Sequence, residues 1–216
     1  MDRTAERLDL VRHLAAHGVS DPRVLAALAQ VPREKFVPAA SARHAYEDRP
    51  LALAEGQTIS QPWIVGYMAQ AVAARPTDRL LEVGTGSGYG AAILSRLCAE
   101  VHTIERLPAL AQSARARLDA LGYDNVHVHV GDGTLGYADA APYDGIVVTA
   151  GGPRIPPTLV TQLAVFGRLI IPIGTTSDVQ RLVRLTRALD GAPVREDLGA
   201  VQFVPLIGAQ AWSERP

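Results

Sequence analysis

Residues 79–90 read RLLEVGTGSGYG. An apolar run ends in glycines at 84, 86 and 88, and the helix-like YGAAILSRLC follows at once. This is the pattern of a strand turning into a helix. Glycine has no Cβ, so the turn can be tight and a ligand can lie directly against its backbone. The spacing is G-x-G-x-G. The dinucleotide fingerprint G-x-G-x-x-G requires glycine at position 89, where this chain has Tyr89, so a pyrophosphate on that helix start is disfavoured.

Downstream, VHTIE reads as a strand, PALAQSARARLDALG as a helix ended by Gly122, and NVHVHVGDG and YDGIVVTAG as strands. IPPTLVTQL is a short helix and GRLIIPIG a strand. Strands alternating with helices at this spacing predict βαβ units and a parallel sheet. After residue 178 helical patterns stop. VQRLVRLTRAL and AVQFVPLIG read as antiparallel strands that close the sheet.

Upstream, residues 4–17 place Leu8, Val11, Leu14 and Ala15 on one helical face. Asp21-Pro22 opens a second helix as N-cap and first helical residue, running to about Gln30. Residues 33–57 read as extended and proline-punctuated, and a third helix covers 62–74. In front of it stands EGQTISQP (55–62), whose Thr58 and Ser60 are either helix caps or substrate donors. The expected organisation is one compact unit. Residues 1–77 form an N-terminal helical cap and substrate segment too small to bury its own core, and 78–216 form the α/β ligand-binding domain.

The 216 residues carry a formal charge of −1, with 48% hydrophobic and 20% charged residues. This ordinary globular balance offers nothing basic to attract a nucleic acid or an acidic membrane surface. The one cysteine, Cys98, rules out an internal disulfide and sits in an apolar pattern. The N-terminus has no apolar signal core, and no run approaches the ~18 residues that span a bilayer. A soluble cytoplasmic protein is expected.

Three acids follow the glycine turn: Glu82 at the end of the first strand, Glu105 at the end of the second, and Asp132 after the third. Carboxylates at the tips of adjacent parallel strands line one crevice, and the second is placed to accept ribose hydroxyls. Asp132 can receive an exocyclic adenine amine. An acidic rim suits a nucleoside that carries positive charge. S-adenosylmethionine, with its sulfonium and amino-acid tail, is such a ligand.

Other chemistries fit poorly. Ser87 is flanked by Thr85 and Tyr89 where a nucleophile elbow needs glycines, and no Walker lysine is present. His13 and His17 are four apart on a helix without a third ligand nearby, so no metal is expected. His127 and His129 share one strand face and read as sheet surface. After the fourth strand stands TAGGPRIPP rather than the Asn-Pro-Pro-Tyr-like turn of many base methyltransferases.

With these parts in view, the chain resembles the protein-L-isoaspartate O-methyltransferase family from about Val31 to Leu206. The matching segments are AYEDRPLALAEGQTISQP, LLEVGTGSGYGAAIL, GDGTLGYADAAPYDGIVVTA, GRLIIPIG and FVPL. The resemblance implies an α/β, Rossmann-like S-adenosylmethionine-dependent methyltransferase fold, with a mostly parallel seven-stranded sheet and an N-terminal helical addition. It implies that Thr58, Ile59 and Ser60 lie over the methyl donor, with Ser60 catalytic. It matches Gly84, Thr85, Gly86 and Ser87 to the methionine-side loop, Glu105 to the ribose, and Asp132 and Gly133 to the adenine edge, and it counts Gln57, Glu82, Gly88 and Arg106 among the cofactor-binding residues. The implied substrates are isoaspartyl residues of proteins and peptides, the donor product is S-adenosyl-L-homocysteine, and a monomer is expected. The family commonly reads TAAAPEIP where this chain has TAGGPRIP, and the tail AQAWSERP matches poorly.

An isoaspartyl carboxylate is already ionised near neutrality, its ordinary pKa being about 4. It needs no general base, and a thioether leaving group needs no acid. A neutral hydroxyl such as Ser60 can orient the attacking oxygen without quenching it. Two rival readings remain at this point: a same-fold enzyme that methylates normal aspartate in a dedicated biosynthetic peptide, motivated by Gly151, Gly152 and Arg154, and a non-catalytic nucleoside-binding module.

Overall fold

The computed structural model describes residues 3–175, 179–190 and 193–213. Helices α1 (Thr4–Ala16), α2 (Pro22–Gln30) and α3 (Pro62–Val72) precede the main sheet. A small antiparallel pair, β1 (Leu51–Ala52) and β2 (Thr58–Ile59), sits between α2 and α3. The α/β part runs β3 (Arg79–Val83), α4 (Tyr89–Leu94), β4 (Glu100–Glu105), α5 (Pro108–Ala120), β5 (Val126–Val130), β6 (Tyr143–Val148), α6 (Pro157–Thr161) and β7 (Leu163–Ile173). Strands β8 (Gln180–Arg187) and β9 (Pro193–Val201) complete it.

The seven strands lie in the order β5-β4-β3-β6-β7-β8-β9. The first five of these are mutually parallel, and β8 and β9 are antiparallel to their neighbours. This is the α/β methyltransferase architecture the sequence implies. Successive residues of a strand face opposite sides. Leu80 accordingly joins the core shared with α1 to α5, and Leu81 joins the one beneath α6. The first core also takes in Leu14, Val24, Leu28 and Met68, so the N-terminal helices pack on the same hydrophobic body as the sheet.

Local sequence explains most boundaries. The Asp21 side chain accepts from Arg23 N at 2.8 Å, and Pro22 occupies the first turn of α2, where its missing N–H costs nothing. Helix α2 stops before Pro32, which disfavours helical geometry at Val31. Helix α4 ends at Leu94, earlier than the pattern through Cys98 predicts. There the Ser95 hydroxyl donates back to the Ala92 carbonyl at 2.8 Å, which competes with continuation.

Three expectations need correction. Residues 33–57 are not simply extended: 3-10 turns cover Arg33–Lys35 and Ala39–His44, each begun by a proline. The final strand is PVREDLGAV rather than AVQFVPLIG. Its charges are tolerated because an edge strand faces water, and its pairing with β8 places Arg184 opposite Glu196. Residues 202–207 instead cross the tips of the parallel strands, with only isolated bridges. Finally, neither Thr58 nor Ser60 caps α3. The N-cap is Gln61, and Asp48 reaches across from the preceding segment to accept from Trp63 N at 2.8 Å and from Gln61 Nε2 at 3.1 Å.

Among the described residues no helix is long and apolar enough to cross a membrane. Glu214–Pro216, the end of AQAWSERP, lie outside the described residues.

The Asp48 cap has a measurable consequence. Asp48→Ala removes a charged acceptor from the first turn of α3 and is expected to lower unfolding free energy by about 1–2 kcal/mol. Chemical denaturation at unchanged m-value checks this. An unaltered midpoint would show that the contact contributes nothing.

Candidate active site

Strand β3 has β4 on one side and β6 on the other, so the sheet order reverses beside β3. Crevices open at the carboxyl ends of strands at such a switch point. A cavity of about 790 Å³ lies there, a volume suited to a nucleoside-sized ligand. Val83 to Ser87 line one side, Gln57 to Gln61 with Trp63 and Ile64 another, and Val201 to Ile207 a third.

The glycine turn is fixed from both neighbouring strands. Gly84 N donates to the Ile104 carbonyl at 2.9 Å, and Thr149 N donates to the Val83 carbonyl at 2.9 Å. The Thr149 hydroxyl donates to the Val83 and Gly84 carbonyls. Gly84 has φ +99°, and a side chain there would collide with Thr149 Oγ1. Gly88, also left-handed, packs against Leu118 and Ala114 of α5 and does not line the cavity.

Glu105 lines the cavity and is 7% exposed. Its two oxygens accept from Gly86 N at 2.9 Å and from Leu107 N at 3.1 Å. The acid thus holds the glycine turn while keeping lone pairs for further donors. Arg106 beside it also lines the cavity.

Glu82 is 1% exposed and lines the same cavity. Thr103 Oγ1 donates to it at 2.6 Å, and Thr85 Oγ1 lies 2.7 Å from Thr103 Oγ1. The carboxylate fits only because residue 90 is glycine, since a Cβ there would collide with Glu82 Oε1. Burial pushes the Glu82 pKa up to about 8, the Thr103 hydrogen bond opposes this, and the Glu105 charge adds to it. Among the described residues no Arg or Lys pairs with Glu82. A buried acid lacking a cationic partner is matched by a ligand that brings positive charge, so the site fits S-adenosylmethionine.

The structure places Asp132 differently from the other two acids. Its Oδ1 accepts from Thr134 N and Oγ1, and its Oδ2 accepts from Ala209 N at 2.7 Å. Asp132 caps the turn Gly133–Leu135 and ties it to the C-terminal segment; Gly133, not Asp132, lines the cavity.

On the opposite wall, Gln57, Thr58, Ile59 and Ser60 all line the cavity. The Ser60 hydroxyl makes no hydrogen bond within the chain among the described residues, so it is available to a ligand. His127 is exposed on the sheet face, whereas His129 is half-buried there. His129 lies 3.0 Å from His102 Nδ1 and stacks on Tyr137, and its pKa is pushed down to about 4, mainly by burial.

Several contributors escape a reading of the sequence. Gly90 continues the alternate-glycine spacing and could have been found from it. Thr103, Thr149 and residues 203–207 reach the site only through the sheet topology and carry no local signal. Trp212 Nε1 donates to the Gly151 carbonyl at 3.0 Å, which anchors that residue of the otherwise poorly matching segment.

A glycine turn leading from β3 into α4, buried acids at the strand tips and a facing hydroxyl wall define an S-adenosylmethionine-dependent methyltransferase of the α/β class. The family profile described as protein-L-isoaspartate(D-aspartate) O-methyltransferase (PCMT) matches residues 5–211. The chain belongs to that family. It is 55% identical over 201 residues to a protein-L-isoaspartate O-methyltransferase of Protochlamydia amoebophila, covering 93% of this chain and 96% of that one. With the Roseiflexus castenholzii protein of the same name, identity is 54% over 213 residues, covering 99% and 97%. A solved protein-L-isoaspartate O-methyltransferase superposes with TM-score 0.87 at 31% identity, over 95% of this chain and 67% of that chain. A Plasmodium falciparum structure assigned to the same activity, in complex with S-adenosyl-L-homocysteine, gives TM-score 0.79 at 25% identity, over 93% and 98%.

The raised pKa of Glu82 makes stability depend on pH. In the ligand-free native state Glu82 keeps its proton up to about 8, whereas the unfolded chain releases it near 4.5. Its contribution is therefore complete below pH 4.5 and is lost as pH rises to 8, by at most about 1.4 kcal/mol per unit. Glu82→Gln removes this loss. Its denaturation midpoint is expected to gain on the wild type between pH 5 and 8; a constant gap would contradict the burial of an unpaired acid.

Proposed function

We infer that this chain transfers the methyl group of S-adenosylmethionine to the free carboxylate of L-isoaspartyl residues in damaged proteins and peptides. Membership of the PCMT family supports the activity. The observation that carries the assignment of roles is the meeting of an unengaged Ser60 hydroxyl and two buried acids across one cavity.

S-adenosylmethionine, when bound, supplies an electrophilic methyl group on a sulfonium. Gly84 to Ser87 and Gly133 provide backbone surface for it, Glu82 offers charge to its cationic end, and Glu105 accepts from the ribose. Asp132 acts at the adenine end by holding Gly133 and the 209–210 backbone in place. Ionising Glu82 on binding releases a proton, so affinity is expected to rise with pH towards 8.

On the substrate side, Ser60 donates a neutral hydrogen bond to the incoming carboxylate. A lysine or arginine in this place would lower the energy of the separated ions more than that of the transition state, in which charge is lost. Apolar Ile64, Val65, Phe203 and Leu206 line the same cavity and limit water, which favours merging charges. The product ester is open to attack by the following backbone amide nitrogen. Methanol leaves, a succinimide forms, and water opens it partly to normal aspartate, which is the repair outcome.

The rival that methylates normal aspartate drew on Gly151, Gly152 and Arg154. The two glycines are buried: Gly151 packs on the Gln180 amide, and Gly152 N donates to the Pro172 carbonyl. Arg154 is exposed, and none of the three lines the cavity. The isoaspartyl reading is therefore preferred, in a cytoplasmic, monomeric enzyme whose N-terminal segment works as part of one unit.

Ser60→Ala is expected to lower turnover by about 10- to 100-fold, the value of a hydrogen bond to a charged group, with S-adenosyl-L-homocysteine affinity within twofold of wild type. Full turnover would remove Ser60 from the mechanism. Glu105→Ala is expected to weaken S-adenosyl-L-homocysteine about 10-fold or more by calorimetry; unchanged affinity would contradict its role. Labelled methyl transfer to an isoaspartyl peptide beside its aspartyl twin decides between the two substrates, and transfer confined to the isoaspartyl form is the expected result.

A further inference from the structure

Arg33 is 0% exposed, and among the described residues no carboxylate forms an ion pair with it. A buried cation without a counter-charge costs several kcal/mol unless its N–H groups are satisfied. Here they are satisfied by main chain. Nε donates to the Ala45 carbonyl at 2.8 Å, Nη1 to the Ser60 carbonyl at 3.0 Å, and Nη2 to the Arg49 carbonyl at 3.4 Å. The guanidinium carbon lies 5.0 Å from the ring centre of Tyr89, a cation–π distance. Tyr89 is the first residue of α4, directly after the glycine turn, and lines the cavity.

Ser60 occupies a gap in regular structure. The β1–β2 ladder ends at Ile59, and α3 begins at Pro62. Among the described residues its hydroxyl makes no hydrogen bond, and its carbonyl accepts one from Arg33. One rigid, planar fork therefore joins the hydroxyl wall to the helix that follows the glycine turn. Lysine could not reproduce this, because its ammonium is a single point on a flexible stem and cannot span three separate carbonyls.

We propose that Arg33 is a positioning residue for methyl transfer: it fixes the Ser60 backbone relative to the Tyr89 end of the glycine turn and so sets the placement of the Ser60 hydroxyl. The inference rests on the assignment of Ser60 to the substrate. A group that acts through Ser60 has an effect that disappears once the hydroxyl is gone. A group that only supports the fold weakens both backgrounds alike.

The test is a double-mutant cycle of Arg33→Lys and Ser60→Ala, read as kcat and KM for an isoaspartyl peptide at saturating S-adenosylmethionine. Calorimetric affinity for S-adenosyl-L-homocysteine is measured alongside. Arg33→Lys is expected to lower kcat about 10- to 100-fold in the wild-type background, as a misplaced group does, and less than about twofold in Ser60→Ala. Affinity for S-adenosyl-L-homocysteine should stay within about twofold in both. Arg33→Met, which matches the stem but carries no donor, should reproduce the non-additivity. Additive losses in kcat, wild-type kcat in Arg33→Lys, or a loss confined to cofactor affinity would each overturn the proposal while leaving the Ser60 assignment intact. If Ser60→Ala alone keeps full turnover, that assignment fails and the proposal falls with it.

Discussion

Everything at the site depends on how the sheet is threaded. Strand β3 sends the chain to β4 on one side and receives β6 on the other, so the helices that cover the sheet diverge above its tip. No helix can close that point, and the peptide groups after Val83 and Val148 must find partners across it. Gly84 N on Ile104 and Thr149 N on Val83 are those partners. This cross-linking holds the glycine turn open as a rigid backbone cradle, and Glu82, Glu105, the facing hydroxyls and the crossing segment 202–207 are all arranged about it.

The charges are distributed to match the reaction. Glu82 and Glu105 stand at the strand tips, whereas the facing wall is neutral: Gln57, Thr58, Ser60 and Gln61, with apolar neighbours. In the proposed assignment a positively charged donor would be held from the acidic side and an anionic acceptor oriented by hydroxyl alone. Neither side needs to move a proton to or from the reacting atoms. That assignment requires no arrangement of nucleophile, base and orienting acid. The price is a buried carboxylate, Glu82, that remains protonated up to about pH 8 until a cation arrives.

What could be read from the sequence was whatever depends on near neighbours. The glycine turn, the strand–helix rhythm, the Asp21-Pro22 helix start and the acids at strand ends are local patterns, and the structure contains each of them. Long-range contacts were not readable. Asp48 caps α3 from 15 residues away, Arg33 reaches Ser60 across 27, and Thr149 reaches Gly84 across 65. Asp132 looked like its two companions because it too ends a strand, but the following turn captures its side chain through Thr134. Strand β9 was missed because PVREDLGAV carries charges that only an edge position allows, and its strand character comes from pairing with β8 rather than from its own pattern.

The central claim is that a cationic donor held by the 82–88 strand tip faces an already ionised carboxylate oriented by Ser60. A crystal structure of the protein with S-adenosyl-L-homocysteine and an isoaspartyl peptide tests it directly. The account predicts the ligand sulfur between the Gly84–Ser87 turn and Ser60, with the peptide carboxylate hydrogen-bonded to the Ser60 hydroxyl. A ligand lying away from that turn, or a carboxylate held by a charged side chain with Ser60 turned aside, would contradict it.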